Sequence, residues 1–184
     1  MDDDTLMRQV AIGDKAAFGQ IVRRHQGVLI RFARRILSGD DECANDAVQE
    51  AFLRLWTARV GYRQEGCLRS YLFRIVRNVC LDQTRRSRPI CQLSTEVENA
   101  TPTGTTMEED YQSAALLEAV RNAVKNLPEA ERVVFVLSQY EQLSYKEIAE
   151  IMGCPVGTVA SRKRLAVEKL RRKLAAWMDG HHEL

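Results

Sequence analysis

Residues 143–174, LSYKEIAEIMGCPVGTVASRKRLAVEKLRRKL, set the tightest limit on what this chain can fold into. They carry the complete punctuation of two helices joined by a tight turn. Ser144 and Glu147 have the S-x-x-E spacing of a capping box, in which each side chain satisfies a backbone N–H left over at a helix start. Leu143 and Ile148 stand where a hydrophobic staple fixes the entry angle. Ile148, Ala149 and Met152 then recur at helical spacing. Gly153 suits the left-handed residue that ends a short helix, and Pro155 suits the first turn of the next. Val159 can pack back on the first helix, and Ala149 is small enough to let the two helices cross closely. Beyond them come Arg162, Lys163, Arg164, Lys169, Arg171, Arg172 and Lys173. A second helix that starts small and turns basic is what major-groove docking needs: thin beside the base edges and positive beside the phosphates. A helical hairpin with a solvated basic face is the plain alternative. The order of cap, glycine turn, proline and basic run favours DNA binding.

The rest of the chain reads as helix too, because Val, Ile and Tyr nowhere alternate with polar residues over a useful length. Asp14 can cap a helix to about Leu37, with Phe18, Ile21, Val22, Val28, Leu29, Phe32, Ala33 and Ile36 apolar at spacings of three and four. Ser38 to Asp41 is a turn. A second helix is expected from about Glu42 to Arg59, Gly61 to Gly66 is a loop, and a third helix runs from about Leu68 to Arg86. Ser113 to Asn126 reads as helical, and Pro128 restarts a helix through about Gln142, leading into the helix-turn-helix.

Charge divides the chain. Its 27 Lys and Arg against 25 Asp and Glu give a formal net charge of only +2. Residues 1–90 hold 16 basic and 11 acidic side chains, residues 91–112 none and 5, and residues 113–184 hold 11 and 9. The middle segment, CQLSTEVENATPTGTTMEEDYQ, lacks an apolar period and reads as a flexible acidic linker. The expectation is an all-α chain of two small helical domains, 1–90 and 113–184, joined by linker 91–112, with the helix-turn-helix in the second.

No apolar run reaches transmembrane length, and MDDDTLMRQ is no signal peptide, which points to a cytoplasmic protein without direct membrane insertion. Cys43, Cys67, Cys80, Cys91 and Cys154 are scattered and odd in number, so neither a disulfide framework nor a zinc site is expected. No nucleophile–base pair stands out, and neither catalysis nor a metal or other cofactor is expected.

Two surfaces of the first module bear on function. DAVQEAFLRLW places Asp46, Gln49, Glu50 and Leu53 within two turns, with Asp46 and Glu50 on one face. An acidic, partly apolar stripe can bind a basic partner helix; a solvated edge beside the core explains it equally well. The third helix carries Arg69, Arg74, Arg77, Arg85, Arg86 and, just beyond it, Arg88, interleaved with Tyr71, Phe73 and Asn78. Arginine grips phosphate, aromatics support unstacked bases, and asparagine reads a base edge. The competing assignment puts Tyr71 and Phe73 in the core.

DAVQEAFLRLW, LRSYLFRIVRNVCLDQTRRSRP, LPEAERVVFVL and LSYKEIAEIMGCPVGTVASR, in this order, resemble a bacterial RNA polymerase sigma factor of the extracytoplasmic-function group of the sigma-70 family. The likeness covers about residues 10–90 and 115–175. It implies a promoter-specificity subunit whose partners are core RNA polymerase and promoter DNA. Asp46, Gln49, Glu50 and Leu53 would bind the polymerase clamp helices. The third helix would recognise the minus-ten element and hold its flipped base, with Asn78 and Asp82 at the specificity positions and Arg74, Arg77, Arg85 and Arg86 on the backbone. Ser161, Arg162, Lys163 and Arg164 would read the minus-thirty-five element. An anti-sigma factor is a further partner the resemblance implies. Ala160, Lys163 and Leu165 depart from the family's common basic, leucine and arginine residues, which redistributes the recognition helix. A stand-alone helix-turn-helix regulator remains the alternative; it would have no need of the arginine-rich third helix.

Overall fold

The computed structural model describes residues 1–62, 67–86 and 108–181, and within these the side chains of 1–62, 67–86 and 115–175. Among the described residues the chain is all helix: α1 (Asp3–Ala11), α2 (Lys15–Ile36), α3 (Asp41–Ala58), a 3-10 turn at Arg59–Gly61, α4 (Leu68–Arg86), α5 (Glu108–Lys125), α6 (Glu129–Gln139), α7 (Tyr145–Met152) and α8 (Val156–His181).

Aspartates start the first three helices. The carboxylate of Asp2 accepts from Thr5 N, that of Asp14 from Ala16 N and Ala17 N, and that of Asp40 from Cys43 N. Each satisfies N–H groups that the first turn leaves without an intrahelical partner. Helix α1 is absent from the sequence reading. Its signal, Asp2 followed by Leu6, Met7 and Val10, is one narrow stripe on nine residues, too short to stand alone. It forms because all three apolar residues are buried. Asp3 also pairs with Arg24 and lies 2.8 Å from Nε2 of the buried His25, tying α1 to α2.

Helices α2, α3 and α4 pack on one another with α1 across α2. Their core is built from Ile21, Leu29, Phe32, Ala47, Ala51, Leu55, Leu72, Phe73 and Val76, all essentially inaccessible. Phe32 and Phe73 meet edge to face at 5.1 Å, the geometry the ring quadrupoles favour.

In the C-terminal half α6 packs against α8 and α7, and α5 packs on α8. Val133, Val136, Leu137, Ile148, Ile151, Val159 and Ala166 form the interior. Lys169 Nζ on α8 donates to Glu131 Oε1 on α6 at 2.6 Å, so the buried carboxylate has an opposite charge beside it. The hairpin signals hold in detail: Ser144 and Glu147 form the capping box, Leu143 and Ile148 are buried together, and Gly153 takes φ 61°.

Three boundaries differ from expectation. Helix α5 begins at Glu108 rather than Ser113, so the linker expected at 91–112 is helical from 108 onward, while its residues 91–107 lie outside the described residues. Glu108, Glu109 and Asp110 supply negative charge to the positive end of the helix. Helix α6 ends at Gln139 rather than Gln142: Glu141 N turns back to Val136 O, Leu143 N to Leu137 O, and Gln142 takes φ 54°. Pro155 precedes α8, its carbonyl accepting from Thr158 N and Val159 N, which makes it the cap.

The two halves touch. Helix α4 lies against α7, and α2 against α6.

Candidate nucleic-acid interface

Helix α3 buries Ala44, Ala47, Val48, Ala51, Phe52 and Leu55. The same periodicity turns Asp46, Gln49 and Leu53 to solvent, Leu53 at 62% exposure. An aliphatic side chain that open beside carboxylates is more than a solvated edge requires. Arg54 Nε donates to Glu50 Oε1 at 2.8 Å along the helix, with both side chains about half exposed. Exposed pairs of this kind add little stability, so the pair can be exchanged for a partner's cation at small cost.

On α4 the division is sharper. Leu68, Leu72, Phe73, Val76, Val79 and Cys80 are buried, and Arg74, Asn78, Arg85 and Arg86 are exposed. Phe73 therefore belongs to the core. Tyr71 does not follow it inward: it is half-buried, packs edge to face with Tyr62 at 5.3 Å, and carries the Arg74 guanidinium over its ring at 5.2 Å. A half-exposed aromatic pair with a cation on one face suits support of an unstacked base. Burial pushes the Cys80 thiol up to about 12, which leaves it inert.

Arg77 and Asp82 are half-buried. Arg77 Nη1 donates to Asn78 Oδ1 at 3.2 Å, orienting the amide, while its buried Nε has no protein partner. Burial lowers the Arg77 pKa, nearby Arg162 and Arg85 lower it further, and Glu129 and Cys154 work against that. Glu129, Cys154 and Arg162 belong to the other half of the chain, so in this arrangement Arg77 faces the second module rather than open solvent.

The consecutive residues 161–164 cannot share one face, since each step rotates about 100°. Val159, Ala166 and Leu170 are buried; Gly157, Ala160, Ser161 and Arg164 are exposed. The last four, spaced by three, one and three, line the outward stripe near the start of α8. Arg162 leans back, with Nη1 3.7 Å from Cys154 Sγ in the turn. Lys163 leans to the other side, with Nζ 5.3 Å from the centre of the Tyr145 ring on α7. Ser161 and Arg164 thus point outward, with Arg162 and Lys163 half-buried beside the motif.

Sequence reasoning missed a polar junction between the halves. Arg35 on α2 donates through Nη1 to Glu141 Oε1 at 3.2 Å, and its guanidinium lies 4.2 Å from the centre of the Tyr140 ring. Arg69 on α4 donates through Nη2 to the Glu141 carbonyl at 3.0 Å. Glu141 is 6% exposed. Its pKa is raised because burial outweighs the attraction of Arg35, Arg31 and Arg69. Partners separated by 106 and 72 residues leave no local pattern to read.

The family model described as Sigma-70 region 2 matches residues 21–90, and that described as Sigma-70, region 4 matches residues 117–170. The chain is 34% identical to the ECF RNA polymerase sigma-E factor of Haemophilus influenzae over 97% of this chain and 98% of that one. It is 33% identical to the sigma-E factor of Escherichia coli over 95% of each, and 32% identical to the ECF sigma factor SigW of Bacillus subtilis over 91% and 94%. Among solved structures, CnrH in complex with the cytosolic domain of CnrY superposes with a TM-score of 0.72 at 29% identity, covering 95% of this chain and 97% of CnrH. RpoE of Bartonella quintana, solved with the anti-sigma factor NepR, has a TM-score of 0.64 at 23% identity over 86% and 96%.

Proposed function

The chain belongs to the sigma-70 family, in its ECF group, and from that premise we propose how its surfaces divide the work of a promoter-specificity subunit. It recognises promoters for RNA polymerase. No stand-alone regulator is needed to explain the arginine-rich α4. The observation that carries the assignment of surfaces is the separation on each helix of a buried apolar side from an exposed functional one.

Residues 1–90 form the polymerase-binding and minus-ten module. Asp46, Gln49, Glu50 and Leu53 offer the polymerase an acidic rim around one open leucine, suited to a basic amphipathic helix. Asn78, Arg74, Arg85 and Arg86 on α4 are exposed toward DNA, with Tyr71 and Tyr62 beside them for a base out of its stack. Arg77 and Asp82 join this surface once the second module moves away. Residues 113–184, with the start of α5 at 108, form the minus-thirty-five module. Ser161 and Arg164 face the groove, and Arg162 and Lys163 reach the flanking phosphates. The reading involves no catalysis: DNA opening draws on binding energy within the polymerase. The subunit acts in the cytoplasm, where polymerase and DNA are, and no described helix is long and apolar enough to cross a membrane. CnrH and RpoE were each solved with a bound protein, CnrY or the anti-sigma factor NepR, which supports an anti-sigma partner here.

Gel filtration of the chain with core RNA polymerase tests the assignment. Co-elution is expected, weakened by Glu50→Lys. Separate elution of the wild-type chain at low and moderate salt would overturn it.

A further inference from the structure

The contact between the two halves has a geometric consequence. Elements named for positions minus ten and minus thirty-five are centred about 25 base pairs apart, roughly 85 Å along a duplex at about 3.4 Å per pair. Here the two reading helices are neighbours. Arg77 of α4 is close enough to Arg162 of α8 for their like charges to interact, and Arg69 of α4 bonds the chain just ahead of α7. Both elements cannot be engaged in this arrangement.

The junction is held at one end and strained at the other. Glu141 is taken out of water between α2 and α4, where Arg35 bonds its carboxylate and Arg69 its carbonyl. Arg35 also covers Tyr140, which adds a cation–π contact to the same residue's ion pair. At the other end Arg77 and Arg162 repel, Arg77 Nε is buried unpaired, and Glu129 offsets the repulsion only in part. Attraction is therefore concentrated at Glu141. The arginines at the strained end are those that gain phosphate partners when DNA binds.

We propose that the free chain is self-inhibited by this junction: Arg35 and Arg69 on the first module clasp the Glu141 turn of the second and hold α4 and α8 too close for promoter binding. The inhibition, though not the clasp, rests on the promoter-subunit reading. The clasp is asymmetric. Loss of Arg35 leaves a buried carboxylate short of a partner, a costly state that opening relieves by hydration. Loss of the Glu141 charge leaves Arg35, whose side chain is 32% exposed, still able to reach water. Arg35→Ala is therefore the more disruptive change and Glu141→Gln the milder.

Small-angle scattering of the full-length chain alone reads the clasp without polymerase or promoter. Wild type is expected compact. Arg35→Ala should raise the radius of gyration by about a third as the modules separate to the reach of the linker. Glu141→Gln should raise it less, and the exchange Arg35→Glu with Glu141→Arg should restore compactness at unchanged helical content. Binding to a minus-thirty-five duplex without polymerase should tighten about tenfold in Arg35→Ala if nine free molecules in ten are closed. An extended wild type, or an Arg35→Ala chain that stays compact, overturns the clasp. Expansion without a gain in duplex affinity overturns the inhibition. Co-elution with core polymerase tests the promoter-subunit reading separately, so the two can fail independently.

Discussion

Ser144 and Glu147 satisfy each other at the start of α7. The Ser144 N–H and hydroxyl both donate to Glu147 Oε2, at 2.8 and 2.7 Å, and Glu147 N donates to Ser144 Oγ at 3.3 Å. The helix behind this cap has only eight residues, too few to be stable by propensity alone. Ser144→Ala is expected to cost about 1 kcal/mol, read as a lowered denaturant midpoint with an unchanged slope.

The same pair makes part of the stability depend on pH. Hydrogen bonds from the Ser144 side chain and backbone hold the Glu147 carboxyl below its ordinary value of 4.5. A depressed carboxyl contributes stability that is fully present above that ordinary value and is lost as pH falls through the lower, folded-state value. Glu147→Gln should therefore reduce the loss of stability on acidification below about pH 4.5. The residue is largely exposed, so the effect is small; a difference between the two chains that grows from pH 5 to 7 would contradict the assignment.

How much was legible follows from the range of each interaction. The capping box, the Gly153 turn and the α4 boundaries Leu68 and Arg86 are set by neighbours a few residues away, and the structure has them where the sequence predicts. The outward face of α3 was readable from period alone, although only burial shows Leu53 to be open. Helix α1 was missed because its short stripe gains its stability from α2. The facing of Ser161 through Arg164 was unreadable until Val159 and Ala166 fixed the rotation of α8. The Glu141 junction joins polar residues from three helices, and no periodicity marks such a contact.

Phe73 is fully buried against Phe32, and Tyr71, two residues earlier on α4, is half-exposed. Phe73→Ala should cost about 3–5 kcal/mol and lower the thermal midpoint. Tyr71→Ala should cost clearly less and instead weaken binding to a minus-ten element presented as single-stranded or melted DNA. A melting scan together with a single-strand binding titration separates the two roles.

Glu50 is joined only by Arg54 along an exposed face. Glu50→Lys places a like charge beside Arg54, a change worth at most about 0.5 kcal/mol on such a surface. Unfolding should be nearly unchanged while association with core polymerase weakens, with a salt dependence altered by the lost charge. A large loss of stability, or unchanged association, would remove Glu50 from the proposed surface.

Arg164 and Lys163 differ in orientation although they are adjacent. Arg164 is exposed on the outward stripe of α8, and Lys163 is folded over Tyr145. A base contact from Arg164 predicts that Arg164→Ala costs about 1–3 kcal/mol at one position of the minus-thirty-five element and relaxes sequence preference there. A phosphate contact predicts a uniform loss across sequences and a salt slope reduced by about one. Lys163→Ala should give the uniform result. Titrations of the polymerase complex on promoters varied in that element, at two salt concentrations, measure both quantities. A uniform loss from Arg164→Ala would move it to the backbone and leave Ser161 as the side chain of the quartet facing a base edge.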